Sequence, residues 1–294
     1  MRVLRQLCVL VVALCALIGA KPLYAQNKID VVASFSILGD FVKNVGGERV
    51  SVTTLVGPNG DAHVYTPSPQ DAKKISDAKL VVVNGFGFEG WLPRLVKSSG
   101  GKATIVTATN GISPRELDAH ADPHAWQSVV NAKVYVGNIR DALVAADPAG
   151  ADVYRVQASA YLAKLDALDS EVRTAIAGIP EAHRQVISTH DAFGYFAAAY
   201  GVAFIAPQGV STEAEPSARD IAKIITQIKS ARIPAVFLEN ISDPRLMRRI
   251  ATETGAKIGG TLYSDSLTQE NGDAPTYIDM VRHNIKALTS ALTD

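Results

Sequence analysis

Between Asp147-Pro148 and Ile179-Pro180 the chain carries its longest helical pattern. Val153, Val156, Leu165, Leu168, Val172, Ile176 and Ile179 recur at steps built mostly of three and four residues, which marks one apolar face. A helix of roughly 28 residues rises about 42 Å, the span of a whole domain. We read it as a stiff connector between two lobes. Periodicity alone equally admits an ordinary helix packed within one domain.

Strand and helix signals alternate on both sides of this segment. On its N-terminal side Ile29 to Ser34, Val50 to Val56, Leu80 to Val83 and Ala103 to Val106 read as strands. Leu38 to Val45, a segment opening at Ser68-Pro69-Gln70-Asp71, Trp91 to Lys97 and Ser128 to Ala145 read as helices. Ser68 stands at a cap position, Pro69 at the first helical position and Asp71 at the third, a strong helix start. The β-branched run Leu80 to Val83 is of the kind buried in a parallel sheet. On the C-terminal side Gln185 to Thr189, Ala203 to Ile205, Ala235 to Leu238 and Lys257 to Leu262 alternate with helices at Ala192 to Tyr200, Ser217 to Ser230, Asp243 to about Glu253, and Pro275 to Leu292. Such alternation predicts an α/β protein of two lobes, each a small, mostly parallel sheet flanked by helices, joined by one long rigid helix. The expected divisions are a signal peptide over 1–25, an N-terminal metal-binding lobe over 26–147, a linker helix over 148–180 and a C-terminal metal-binding lobe over 181–294.

The signal peptide rests on Arg2 and Arg5, the apolar run Leu7 to Ala20, and Ala25 before the expected cut. That run is short for a spanning helix, and no later segment is long and apolar enough to cross a bilayer. Both cysteines, Cys8 and Cys15, fall inside the removed segment, so no thiolate site or cysteine nucleophile is expected in the mature chain. Leu7 and Leu14 precede them where a lipid-attachment box would carry small residues, so we expect no lipid anchor and a periplasmic protein. Without Arg2, Arg5 and Lys21 the chain holds 26 basic against 29 acidic side chains, a net charge of −3. That balance does not support nucleic-acid binding. The remaining 269 or so residues are enough for two cores without disulfide staples.

Four side chains sit in loops that follow apolar, strand-like runs, two in each half of the chain. His63 ends Gly57-Pro58-Asn59-Gly60-Asp61-Ala62-His63, His124 lies in Asp122-Pro123-His124-Ala125-Trp126-Gln127, His190 in Ser188-Thr189-His190-Asp191-Ala192-Phe193, and Asp265 in Leu262-Tyr263-Ser264-Asp265-Ser266. Ligands of open parallel sheets gather beyond the carboxyl ends of strands, so four such loops predict one metal held between two lobes. Three imidazoles and one carboxylate suit zinc in tetrahedral geometry, whereas manganese prefers more oxygen. Asp61, Asp122 and Asp191 are candidates to accept the outer N–H of a ligand imidazole, against ordinary turn and capping work, which we favour for Asp191. Glu239 is a candidate spare ligand or supporting carboxylate. Glu215 reads instead as serving a helix start, and His183 and His283 carry no expected role.

These segments, with His190-Asp191-Ala192-Phe193-Gly194-Tyr195-Phe196 and Tyr263-Ser264-Asp265-Ser266-Leu267, resemble in order the ligand segments of the metal-binding solute receptors of bacterial ABC importers. That family is the cluster A-I group, which includes the zinc-uptake receptor and the treponemal metal receptor, and the resemblance covers essentially the whole mature chain. It implies high-affinity capture of a divalent transition metal in the periplasm and delivery to an ABC permease in the inner membrane. The ligands it implies are His63, His124, His190 and Asp265, and the long segment after Asp147 becomes the family's backbone helix. It also implies a monomer, with a periplasmic metallochaperone as a further partner. Zn2+ is the expected ion, with manganese, or iron, as the alternative. Many zinc-specific members carry a long loop rich in histidine and acids before the second ligand, whereas Thr107 to Pro123 is short and holds only Glu116, Asp118, His120 and Asp122. Manganese members often have glutamate at the third position, where this chain has His190. His120 is a candidate mobile capture ligand, weighed against a solvated loop histidine.

A different class of function, a zinc-dependent hydrolase with three ligands and Asp265 or Glu239 as base, is weaker. No H-E-x-x-H helix is present, and four protein ligands leave no open position on zinc for water. A surface adhesin or an iron-chelate receptor has less support still, since the latter needs an aromatic-lined cleft and aromatics make up 6% of the chain.

Overall fold

A computed structural model describes residues 28–117 and 120–293. The expected signal peptide, both cysteines and Asp118 lie outside the described residues.

Two four-stranded sheets, every pair parallel, form the two halves. In the first, β1 (Ile29–Phe35), β2 (Val50–Val56), β3 (Leu80–Val83) and β4 (Thr104–Thr107) lie in the order β2-β1-β3-β4. After a two-stranded hairpin of β5 (Glu116–Leu117) and β6 (His120–Ala121), the second sheet uses β7 (Gln185–Ile187), β8 (Ala203–Ile205), β9 (Ala235–Glu239) and β10 (Lys257–Leu262) in the order β10-β9-β7-β8. Read from the other edge this is the same topology, so each half has its switch point beside its own first strand.

The helices are α1 (Ser36–Gly46), α2 (Pro69–Asp77), α3 (Leu92–Ser99), α4 (Val129–Ala146), α5 (Ala151–Ala177), α6 (Gly194–Tyr200), α7 (Ala218–Ala231), α8 (Arg245–Thr254) and α9 (Tyr277–Leu292). The start of α2 is as the sequence predicts. Ser68 Oγ accepts from the Asp71 backbone N–H, the Asp71 carboxylate accepts from the Ser68 backbone N–H, and Pro69 stands in the first turn. Helix α5 has 27 residues and packs against α1 and α4 of the first half and against α6 and α9 of the second.

Its buried face differs from the expected one at the N-terminal end. Tyr154, Ala158, Tyr161, Leu165, Leu168, Val172 and Ile176 are buried, while Val153 and Val156 are 41% and 68% exposed. Two tyrosines and an alanine form the stripe there: Tyr154 donates to Asp147 Oδ2 at 2.7 Å beneath the Arg49 guanidinium, and Tyr161 faces an aromatic wall. The Phe41 ring lies 6.3 Å from Tyr161 and 4.8 Å from Tyr277.

One continuous core runs from Phe35 and Phe41 through Tyr135, Tyr161 and Leu165 to Tyr277 and Leu288, and so belongs to both halves. Smaller clusters lie on the outer faces of the sheets, around Val81 and Leu95 in one half and Val236 and Ile250 in the other. The halves are also joined by polar bonds. Asp40 on α1 accepts from the Tyr277 backbone N–H at 3.0 Å and lies 3.3 Å from the Tyr161 hydroxyl. Trp126 Nε1 donates to Ser264 O at 2.9 Å.

Candidate metal centre

The four loops leave the carboxyl ends of their sheets toward the seam between the halves. The first follows β2. Asn59 sits at φ +58°, a conformation asparagine tolerates, and the Gly60 N–H closes a turn on Gly57 O at 3.1 Å. A Cβ at Gly60 would lie 2.8 Å from the Val56 side chain and 3.0 Å from that same carbonyl, so the turn is tight there. Asp61 then accepts from the His63 backbone N–H through Oδ1 at 2.9 Å, which aims the His63 side chain into the seam.

His124 is anchored through Asp122. Its backbone N–H and its Nδ1 both meet Asp122 Oδ1, at 3.0 and 2.9 Å, and Arg115 Nη1 donates to Asp122 Oδ2 at 2.9 Å. Tyr195, from the other half, donates to Asp122 O at 3.1 Å and accepts from the Arg115 backbone N–H at 2.8 Å. Gly194 makes that approach possible, since a Cβ there would collide with the Arg115 guanidinium and the Asp122 carboxylate. His190 follows β7, and Glu239, at the end of neighbouring β9, holds it three ways. Glu239 Oε1 accepts from the Thr189 and His190 backbone N–H groups at 2.7 and 3.0 Å, and Oε2 meets His190 Nδ1 at 2.5 Å while also accepting from the Ser264 hydroxyl at 2.8 Å. Asp265 stands one residue beyond Ser264, in the loop after β10.

The side chains of His63, His124, His190 and Asp265 converge, with one donor atom from each lying within 4.8 Å of all the others. His63 Nε2 is 3.3 Å from His124 Nε2 and 3.2 Å from Asp265 Oδ2. His190 Nε2 is 3.2 Å from Asp265 Oδ2, and His124 Nε2 is 3.7 Å from Asp265 Oδ1. Atoms bound tetrahedrally at 2.0 to 2.2 Å from a common centre lie about 3.3–3.6 Å apart, close to these four separations. His190 Nε2 and both Asp265 oxygens are buried without a hydrogen-bond partner among the described residues. Orphaned lone pairs facing one another are costly in a dry interior and are what a divalent cation would satisfy. With both carboxylate oxygens turned inward, a fifth bond is also within reach.

The protein's own charges point the same way. Burial alone would raise the Asp265 carboxyl, but His190 and His124 outweigh it and hold the carboxyl well below the usual range. Burial would lower His190, yet the Glu239 and Asp265 carboxylates push it well above the ordinary imidazole value. His124 is raised too, by Asp265 and Asp122 against its own burial. Carboxylates on both Nδ1 atoms favour the tautomer that turns an Nε2 lone pair inward.

The other sequence candidates divide. Asp122 does accept from an imidazole, whereas Asp61 holds the His63 backbone and Asp191 makes a backbone bond, its N–H donating to Gly209 O at 3.2 Å. Glu239 fills the supporting role for His190. His120 lies exposed on β6, paired with Leu117, outside the cluster, and Glu215 is exposed. His183 and His283 meet the carbonyls of Leu292 and Thr261. Ser264 and Tyr195 escape sequence reasoning because their partners, Glu239 and Asp122, lie 25 and 73 positions away, and Arg115 because its loop brings it back onto Asp122 without a local pattern that names the pair. Phe88 and Trp126 wall the site, with ring centroids 4.7 Å from His63 and 5.3 Å from His124.

Residues 31–291 match the family profile described as ZnuA, zinc-uptake complex component A, periplasmic. The chain is 37% identical over 266 residues to the manganese-binding lipoprotein MntA of Halalkalibacterium halodurans, covering 90% of this chain and 89% of that one. It is 33% identical to the iron-binding protein YfeA of Yersinia pestis over 94% of this chain and 90% of that one. Among solved structures, the periplasmic zinc-binding protein TroA of Treponema pallidum superposes with a TM-score of 0.88 at 30% identity, over 91% of this chain and all of that one.

Proposed function

The chain belongs to the ZnuA family, the metal-binding substrate-binding proteins of ABC transporters, and from that premise we propose that His63, His124, His190 and Asp265 together take up a single zinc ion for delivery to the permease. Family members are transport proteins rather than enzymes, so the hydrolase reading falls away.

The observation that carries the proposal is the convergence of four buried side chains, three of them imidazoles, with donor atoms within 4.8 Å of one another. Nitrogen-rich ligation favours zinc over manganese, as does the general order of affinities among divalent metals. Manganese is the second reading. It is supported by the name of the 37%-identical MntA relative and by the two inward oxygens of Asp265, which suit a metal with more oxygen ligands.

The division at 147/148 and 180/181, the monomeric state, a periplasmic location and hand-over from a metallochaperone belong to the same reading. Fractionation tests the location: recovery in the soluble periplasmic fraction supports it, and recovery in the membrane fraction would align the chain with the relative named as a lipoprotein. The metal is tested by competition dialysis with zinc and manganese followed by elemental analysis. One zinc per chain, retained against a manganese excess, supports the reading; manganese retained against zinc reverses the choice of ion.

A further inference from the structure

The four converging side chains are not held equally. His124, His190 and Asp265 are completely buried, and both of those imidazoles donate Nδ1–H to a carboxylate. His63 is 6% exposed, and no described residue accepts from its Nδ1. What fixes His63 is its backbone, through Asp61, and the Asp61 carboxylate has a second bond. Its Oδ2 accepts from the Thr212 hydroxyl at 2.6 Å, across the seam and 151 residues away. Thr212 lies in the loop between β8 and α7, whose Gln208 bridges His190 and donates from Nε2 to Thr212 O at 3.2 Å. A single carboxylate therefore joins the least supported histidine to the opposite lobe.

The surroundings suit a point of separation. A cleft of about 630 Å3 opens beside this contact, lined by Asp61, Val64, Thr189, Gln208, Thr212 and Glu215 among others. Val64, next to His63, is half exposed. The Gly57–Asp61 turn also meets the second half through Asn59 and Gly57: the Asn59 N–H donates to Leu267 O at 2.9 Å, Asn240 Nδ2 donates to Asn59 Oδ1 at 3.2 Å, and Ser266 Oγ donates to Gly57 O at 3.4 Å. Those bonds hold the far side of the turn, whereas Asp61–Thr212 alone leads straight into the His63 backbone.

We propose that the Asp61–Thr212 hydrogen bond is an interlobe latch that keeps His63 on the bound ion, and that the ion leaves on the His63 side when this bond opens. Asp61 and Thr212 are positioning residues, acting on the metal through His63. The inference rests on the metal-capture reading above. With the latch intact, departure of the ion requires two coupled events, parting of the lobes at Thr212 and withdrawal of His63. Without it, His63 withdraws alone, so release speeds up while capture, governed by the three fixed donors, is little changed.

The test is zinc release from the loaded full chain into excess chelator, followed by stopped flow, for wild type, Thr212→Val and Thr212→Ser. Valine keeps the shape and removes the hydroxyl; serine keeps the hydroxyl. A charge-assisted hydrogen bond of this kind predicts about tenfold faster release for valine, wild-type release for serine, and association rates and metal-free melting temperatures alike in all three. Thr212→Ala carries the same expectation if the valine variant does not fold. Wild-type release from Thr212→Val overturns the latch, as does equal acceleration by serine and valine together with a lowered metal-free melting temperature. A wild-type chain that takes up no zinc overturns the metal-capture reading as well, which separates the two failures.

Discussion

Asp122 and Glu239 each grip an inward-facing imidazole by its outer nitrogen, and each is itself tied down, Asp122 by Arg115 and Glu239 by Ser264 and two backbone N–H groups. Such partners orient the ring and raise its donor strength. Asp122→Asn and Glu239→Gln are expected to weaken zinc binding by about 10- to 100-fold in competition titrations, with one zinc per chain still bound at saturation. Affinities equal to wild type would show these carboxylates to be bystanders. Protonation gives a second expectation. His190 and His124 are held above the ordinary imidazole value, so in the metal-free chain their protonated forms favour the fold. That contribution is complete below about pH 6.5, the unfolded value, and is lost as pH rises through the raised folded values. Zinc requires the deprotonated rings, so its affinity moves the other way and weakens on acidification, beginning above pH 6.5. The gap in melting temperature between loaded and metal-free chain should therefore widen from pH 6 to pH 8, and a constant gap would contradict imidazole ligation. The four converging residues were legible because each sits in a loop that follows a strand-like run, His124 after the longest interval. Glu239 was only half legible: a carboxylate at a strand end is visible, but which imidazole it meets depends on β9 lying beside β7.

At the scale of elements, strands and helices were readable nearly throughout, and boundaries moved by one or two residues where caps decide them. Ser68, Pro69 and Asp71 gave the start of α2 because capping is a local exchange of hydrogen bonds. Ser68→Ala should cost about 1 kcal/mol in denaturant unfolding, and no change would mean that the cap is redundant. Helix α5 shows where periodicity misleads. Val153 and Val156 fit the apolar spacing as well as Tyr154 and Tyr161 do, and hydrophobicity ranks valine above tyrosine, yet Phe41 receives Tyr161 and the Arg49–Asp147 pair receives Tyr154. Val156→Ala is accordingly expected to change stability by less than about 0.5 kcal/mol, and Leu165→Ala to cost about 2–5 kcal/mol. Equal costs at the two positions would contradict this assignment of faces.

Across the whole molecule, the two sheets share one topology, but what joins them lay beyond sequence reasoning. The core that runs through Phe41, Tyr161 and Tyr277, and bonds such as Asp40 to the Tyr277 N–H and Trp126 to Ser264 O, pair residues more than 100 positions apart without any local signature. Those contacts join the halves both along α5 and beside the metal site. Loss of the ion should therefore loosen loops more than it swings lobes. Small-angle scattering of metal-free and loaded chain should differ by under about 1 Å in a radius of gyration near 18 Å. A change of several ångströms would mean that the shared core parts. The central claim, that four side chains from distant parts of the chain hold one ion, is tested most directly by anomalous diffraction at the zinc edge from zinc-loaded crystals. One strong peak is expected about 2.0–2.2 Å from the Nε2 atoms of His63, His124 and His190 and from an Asp265 oxygen. A peak elsewhere, or none among these four, would contradict it.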